Sequence, residues 1–86
     1  MTCLITFYAQ FDAILANRIL IGLHIPVRLM PVPRVVSASC GTCVEFELEP
    51  TRLLPPGALD RVAVEGVFRQ ENGDWRMVPL TEISEL

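Results

Sequence analysis

The chain has 86 residues, of which 51% are hydrophobic, and a formal net charge of −3. This length predicts a single domain, and the apolar content is high for so small a body, so we expect a partner or a second copy to cover part of its apolar surface. All seven basic residues are arginines and they do not cluster, which argues against nucleic acid as a partner.

The first third of the chain predicts a strand and then a helix. Residues 3–8, "CLITFY", are β-branched and aromatic, as strands are. The residues of the inward face of this strand are Cys3, Ile5 and Phe7. A helical pattern begins at Asp12 and ends before Pro26, because proline disfavours helical geometry at the residue that precedes it.

No part of this region predicts membrane insertion or export. The longest apolar run, residues 13–23, is shorter than the roughly 20 residues that cross a bilayer. The start, "MTCLITFYAQ", has neither a positively charged leader nor a small-residue cleavage site. We therefore expect a cytoplasmic protein without a membrane partner.

Two strands flank a loop that ends in a cysteine pair. Residues 25–30 predict the first strand, and Pro31 and Pro33 place its far end at an edge or loop, since proline cannot donate to a ladder. Residues 35–42, "VVSASCGT", predict an exposed connection. The next strand, "CVEFELE", alternates Val44, Phe46 and Leu48 toward the core with Glu45, Glu47 and Glu49 toward water. Cys43 then lies on the glutamate face.

The second half of the chain predicts two more strands. Pro55-Pro56-Gly57 forbids one continuous helix, so we expect only a short helical turn near residues 57–62. Residues 64–70 predict the fourth strand, and Asn72-Gly73 a turn into a fifth at residues 75–78. Residues 81–86 predict a frayed polar tail, which leaves one domain over residues 1–80.

The order of these elements predicts the fold class. Strand, helix, strand, strand, short helix and strand follow one another as in the split βαβ (βαββαβ) pattern of ferredoxin-like folds. We therefore expect an α+β domain of this type with an extra C-terminal hairpin strand.

Cys40 and Cys43 form a C-x-x-C pair, and their surroundings make them unequal. A thiol attacks as its thiolate, which donors and positive charge favour. Arg34 and the hydroxyls of Ser37 and Ser39 could meet an anion on Cys40, and Gly41 permits a tight backbone around the sulfur. The glutamates that share the face of Cys43 disfavour a thiolate there. Cys40 is thus the candidate working thiol and Cys43 an accessory one.

Other uses of the cysteines have less support. One C-x-x-C pair is half of a zinc site, and its only completions are the inward Cys3 and His24 at a helix end, so we expect no metal and no cofactor. A thioredoxin-type site needs a helix after the pair, whereas a strand follows here. A reversible Cys40–Cys43 disulfide remains open, and so does a purely solvent-exposed role for Arg34.

The residues "FDAILANRIL", "IPVRLMPVPRVVSASCG", "VEFE" and "VEGVFR" resemble a family of small bacterial domains described as selenium/sulfur carrier protein-like. The resemblance covers about residues 4–70 and is most specific over residues 25–41. It implies that the cysteine of "SCG", with Ser39, Gly41 and Arg34 nearby, carries sulfur or selenium as a persulfide or perselenide.

The chain departs from this family pattern at three places. Phe11 stands where histidine is usual, and Cys43 where a small apolar residue is usual. Pro55-Pro56-Gly57 interrupts the second helix.

The setting of Cys40 together with the family resemblance implies a stoichiometric carrier more than an enzyme. Its partners would be sulfur or selenium donor and acceptor proteins, and a homodimer would also cover apolar surface. Two alternatives stay open: a dithiol redox protein that uses the Cys40–Cys43 couple, and a non-catalytic interaction module.

Overall fold

A five-stranded sheet and one α-helix make up the regular structure of residues 1–85, the part of the chain that the computed structural model describes. The elements are β1 (Thr2–Phe7), α1 (Gln10–Gly22), β2 (Val27–Pro31), β3 (Thr42–Glu47), β4 (Val64–Glu71), β5 (Asp74–Val78) and a short 3₁₀ helix (Leu80–Glu82). The α+β class expected from the sequence is confirmed. None of the helices in this part of the chain has the length and apolar character that crossing a bilayer requires.

The sheet has the strand order β2-β3-β1-β4-β5, with every neighbouring pair antiparallel. β1 is central, and its Ile5 pairs with Val44 of β3 on one side and Val67 of β4 on the other. β2 lies at one edge and ends at Pro31, as the prolines predicted. The turn at Asn72-Gly73 joins β4 to β5, and both residues have positive φ, at 49° and 85°.

The main core lies between α1 and one face of the sheet. The inward face of β1 takes part as predicted, with β3 beside it in the sheet and α1 packed over it. Its fully buried members include Cys3, Ile5, Phe7, Val44, Ala13, Ala16 and Leu20. Small alanines on α1 let the helix approach the strands closely, while the sheet supplies the larger side chains.

A second, smaller core lies on the opposite face of the sheet. Leu4, Cys43 and Phe68 form its floor, and Val36 from the β2–β3 loop packs onto them. We call residues 32–41 the Cys40 loop. The expectation of an exposed connection is wrong for Val36, which is only 7% exposed, because this loop folds back over the sheet to bury it.

The segment after β3 contains turns where a short helix was expected. Three backbone bonds, Ala58 to Pro55, Asp60 to Gly57 and Val62 to Leu59, each close a single turn without continuing into a helix. Gly57 has φ 74°, outside the helical region, so a helix cannot include it. The short helical turn predicted near residues 57–62 is therefore replaced by single turns, although Leu59 and Val62 are buried.

The C-terminal residues pack against the body of the domain. Ile83 is fully buried, and its carbonyl accepts a 2.8 Å hydrogen bond from the N–H of Leu54. Leu54 in turn accepts from the N–H of Glu85 at 2.9 Å. Fraying is therefore wrong for residues 81–85, because Ile83 supplies an apolar anchor. The last residue of the expected tail, Leu86, lies outside the described residues.

Candidate functional site

The Cys40 loop is fastened to the sheet at both ends. The N–H of Val32 donates to the carbonyl of Gly41 at 3.0 Å and extends the β2–β3 hairpin by one pair. A tight turn follows, in which the N–H of Val36 donates to Pro33 at 2.9 Å. Because Val36 is also buried in the second core, the loop has a defined position above β1 and β4.

Cys40 lies where the end of β1 meets this loop. Its N–H donates to the carbonyl of Phe7, the last residue of β1, at 3.3 Å. Its Sγ accepts from the N–H of Thr42 at 3.4 Å, and the residue is partly exposed. A backbone N–H aimed at sulfur favours an anion on that atom. The Thr42 N–H was not identified from the sequence, since backbone donors leave no signature there.

Ser39 is held by a carboxylate on β4. Its N–H donates to Oε1 of Glu65 at 2.9 Å, and its hydroxyl donates to Oε2 at 2.5 Å. These bonds, that of the hydroxyl first, lower the pKa of Glu65 because they stabilise the ionised form. Glu65 was missed in the sequence. The adjacent Gly66, a glycine inside a strand, was the signal for a bulge that could have drawn attention to it.

Arg34 and Ser37 are exposed and make no side-chain hydrogen bond or ion pair within residues 1–85. Arg34 occupies the turn that begins at Pro33, and the structure records no bond between it and Cys40. Gly41 is exposed as well, its φ is not positive, and a Cβ there would meet nothing within 4 Å. The conformation at Gly41 therefore does not require glycine, although the backbone does turn closely around the sulfur, with the Thr42 nitrogen 3.4 Å from Sγ of Cys40.

Cys43 lies on the same side of the sheet as Glu45, as the alternation predicted, but it is fully buried. Its thiol faces the carbonyl of Pro31, with 3.8 Å between sulfur and oxygen. Burial, with a smaller contribution from the negative charge of Glu45, raises the pKa of Cys43 to about 11. Very little thiolate therefore forms on Cys43 near neutral pH.

The remaining candidate ligands are dispersed. Cys3 is buried in the main core, across the sheet from Cys43, and burial raises its pKa to about 11. His24 is exposed beyond the C-terminus of α1, with φ 60°, as the helix-terminal interpretation predicted. Within residues 1–85 no group of three or more His, Cys, Asp or Glu side chains could hold a metal ion.

Comparison with models of protein families identifies a match. Residues 2–54, more than half of the chain, match the model of a protein family described as "Putative Se/S carrier protein-like". The match includes β1, α1, β2, the Cys40 loop and β3. No curated protein and no solved structure matches the chain. On the extent of the family match, this chain belongs to the Se/S carrier protein-like family.

Proposed function

We propose that this chain is a carrier that holds one sulfur or selenium atom on Cys40 as a persulfide or perselenide. The observation that carries the proposal is the difference in access among the cysteines. Cys40 is partly exposed, whereas Cys3 and Cys43 are buried with raised pKa values. The family to which the chain belongs supports the same cargo.

The transfer needs no external oxidant. The Cys40 thiolate attacks the outer sulfur of a donor protein's persulfide, forming a new S–S bond while the donor's S–S bond breaks. The cysteine sulfur of the donor protein leaves as a thiolate. An acceptor thiolate later attacks the same outer sulfur, and Cys40 is released as a thiolate. Electrons balance in each step, because a zero-valent sulfur atom passes between thiolates.

The burial of Cys43 favours a carrier over a dithiol redox couple. If the Cys43 thiolate attacked Sγ of a loaded Cys40, a disulfide would form and hydrosulfide would leave. The raised pKa of Cys43 and its place in the second core both oppose that reaction. In this proposal Cys43 does not attack the loaded Cys40, and the bound sulfur stays on Cys40 until the thiolate of an acceptor protein removes it.

Polar groups near Cys40 would hold the terminal anion. The Thr42 N–H already bonds Sγ, and Arg34 and Ser37 are exposed without side-chain partners among the described residues. A guanidinium on a surface turn could reach an added sulfur without breaking an existing ion pair. The hydroxyl of Ser39 already donates to Glu65, so it would not bind the terminal anion directly.

Exposed apolar residues of the Cys40 loop and of the segment that follows β1 would form the docking surface for donor and acceptor proteins. Tyr8 follows the residue whose carbonyl bonds Cys40, and it is 60% exposed. Phe11 in the first turn of α1 is 72% exposed, and Val35 in the Cys40 loop is 82% exposed. Large apolar side chains that are exposed to water suit transient protein contacts.

We further propose that the protein works in the cytoplasm, where thiols stay reduced. The sheet would be a ferredoxin-like sheet whose second crossover lacks its helix. The strand order β2-β3-β1-β4, with β5 added at one edge, supports that assignment.

Incubation with a cysteine desulfurase and cysteine, followed by mass spectrometry of the intact protein, tests the function. We expect an adduct of one sulfur atom in the wild type and in Cys43→Ala, and none in Cys40→Ala. Selenocysteine in place of cysteine tests the selenium cargo. Arg34→Ala should shorten the lifetime of the adduct, whereas Arg18→Ala, which removes an exposed arginine of α1, should leave it unchanged.

Two other results would replace the proposal. Loss of two hydrogens that requires both Cys40 and Cys43 would identify a dithiol redox protein. No change of mass under any treatment would leave an interaction module as the function.

A further inference from the structure

A β-bulge in β4 directs Glu65 toward the Cys40 loop. In the pairing of β1 with β4, Thr6 faces Gly66 and Phe7 faces Val64, so Glu65 is the extra residue between two pairs. Bulges turn a side chain away from the regular alternation and are frequent beside active sites. The chain is close-packed there: a Cβ on Gly66 would lie 3.0 Å from Oγ1 of Thr6.

The bulge and the end of β1 together fix two consecutive residues of the loop. Glu65 binds both the N–H and the hydroxyl of Ser39, while the carbonyl of Phe7 binds the N–H of Cys40. Ser39 is thereby attached to β4 and Cys40 to β1. The remaining bond at this point runs from the N–H of Thr42 to Sγ of Cys40.

We propose that Glu65 is a positioning residue for Cys40: by holding Ser39, its carboxylate keeps the Cys40 sulfur against the N–H of Thr42. The inference concerns the same thiol as the proposed function and rests on it for its biological meaning. Glu65 acts through Ser39 and need not touch the cargo. The sequence suggested Ser39 as a possible ligand of the anion. In this proposal Ser39 instead connects Glu65 of β4 to Cys40.

The carboxylate has two effects on Cys40, and they oppose each other. Its hydrogen bonds position the sulfur beside a donor, whereas its negative charge disfavours an anion nearby. Glu65→Gln separates the two effects, because a glutamine amide accepts from the Ser39 N–H and donates to the Ser39 oxygen without charge. Glu65→Ala removes positioning and charge together.

The rate of alkylation of Cys40 by iodoacetamide at neutral pH measures the effect without any sulfur donor. We expect Glu65→Gln to react at least as fast as the wild type, since it keeps the attachment and loses the charge. Glu65→Ala should react about fivefold more slowly than Glu65→Gln, the factor that corresponds to one hydrogen bond of ordinary net strength. Glu71→Ala, which removes another carboxylate of β4, should match the wild type.

Amide hydrogen exchange separates positioning from general loss of stability. In Glu65→Ala the N–H of Thr42 should exchange faster, while the N–H of Ile5 in the central strand keeps its wild-type rate. In Glu65→Gln both N–H groups should exchange at their wild-type rates. Ser39→Ala, which removes only the hydroxyl bond, should give a smaller effect in the same direction and replaces Glu65→Ala if that variant does not fold.

Equal alkylation rates in Glu65→Gln and Glu65→Ala would overturn the proposal, as would an unchanged exchange rate at Thr42 in Glu65→Ala. Failure of the proposed function would look different. In that case the wild type would form no sulfur adduct, whereas the alkylation and exchange differences would persist.

Discussion

Alkaline pH should destabilise the fold through its two buried thiols. Burial raises the pKa of both Cys3 and Cys43 from the ordinary value of 9.0 to about 11. A group whose pKa is raised in the folded state contributes stability that is complete below the unfolded-state pKa and is lost as pH rises through the folded-state pKa. The free energy of unfolding should therefore fall between about pH 9 and about pH 11.

The size of the loss follows from these two pKa values. A tenfold change in a protonation equilibrium corresponds to about 1.36 kcal/mol, so each thiol should remove about 1 kcal/mol of stability between pH 8 and pH 10. Together Cys3 and Cys43 should remove about 2–3 kcal/mol. Small domains are stable by only about 5–15 kcal/mol, so the change is large enough to measure.

Urea unfolding at pH 8 and pH 10 provides the assay. Cys43→Ala should be less stable than the wild type at both pH values because it leaves a cavity. The drop in its free energy of unfolding from pH 8 to pH 10 should nevertheless be only about half of the wild-type drop, because one of the two titrating thiols is gone. Val44→Ala is the matched control: it also removes a buried side chain of β3, but one that does not titrate. If Cys43→Ala keeps the same pH dependence as Val44→Ala, the reasoning is refuted.

Three further predictions concern the loop and the turns. In the native protein iodoacetamide should modify Cys40 long before Cys3 or Cys43, as located by peptide mass spectrometry; modification of all three at similar rates would contradict the burial described above. Val36→Ala should lower the free energy of unfolding by about 1.6 kcal/mol, at about 0.8 kcal/mol for each of two carbon atoms, and expose Cys43 to alkylation; an unchanged alkylation rate would mean that the loop does not shield it. Gly73→Ala should cost about 1 kcal/mol in urea unfolding because φ is 85°, whereas Gly41→Ala should change stability by less than about 0.5 kcal/mol; equal costs would contradict the backbone argument.

The sequence predicted the sheet well because its strands carry strong local signals. Alternating apolar residues in β3, the Asn72-Gly73 turn and the proline at the end of β2 each identify an element without reference to the rest of the chain. The inward face of β1 followed from the same period of two. These features depend on neighbours one or two residues away, and the structure confirms them.

Contacts between distant segments were harder to predict. The bond between Ser39 and Glu65 joins residues 26 positions apart and exists because of a bulge whose only sequence trace is a glycine. Val36 looked like a loop residue because no period marks it, and it became buried when the loop folded onto the sheet. Ile83 was hidden in a polar tail for the same reason: one apolar residue has no pattern.

In the proposed carrier, the attachment of the Cys40 loop would bear on the kinetics of exchange with donor and acceptor proteins. Ordering one backbone residue costs about 1–2 kcal/mol of conformational entropy. Val36 and the Val32–Gly41 bond already restrict this loop in the free protein. A docking protein would therefore meet a surface that needs little induced ordering, and a weak interface could still bring two sulfur atoms into line. For a shuttle of the kind proposed, such preorganisation would allow precise alignment together with short residence times on each partner.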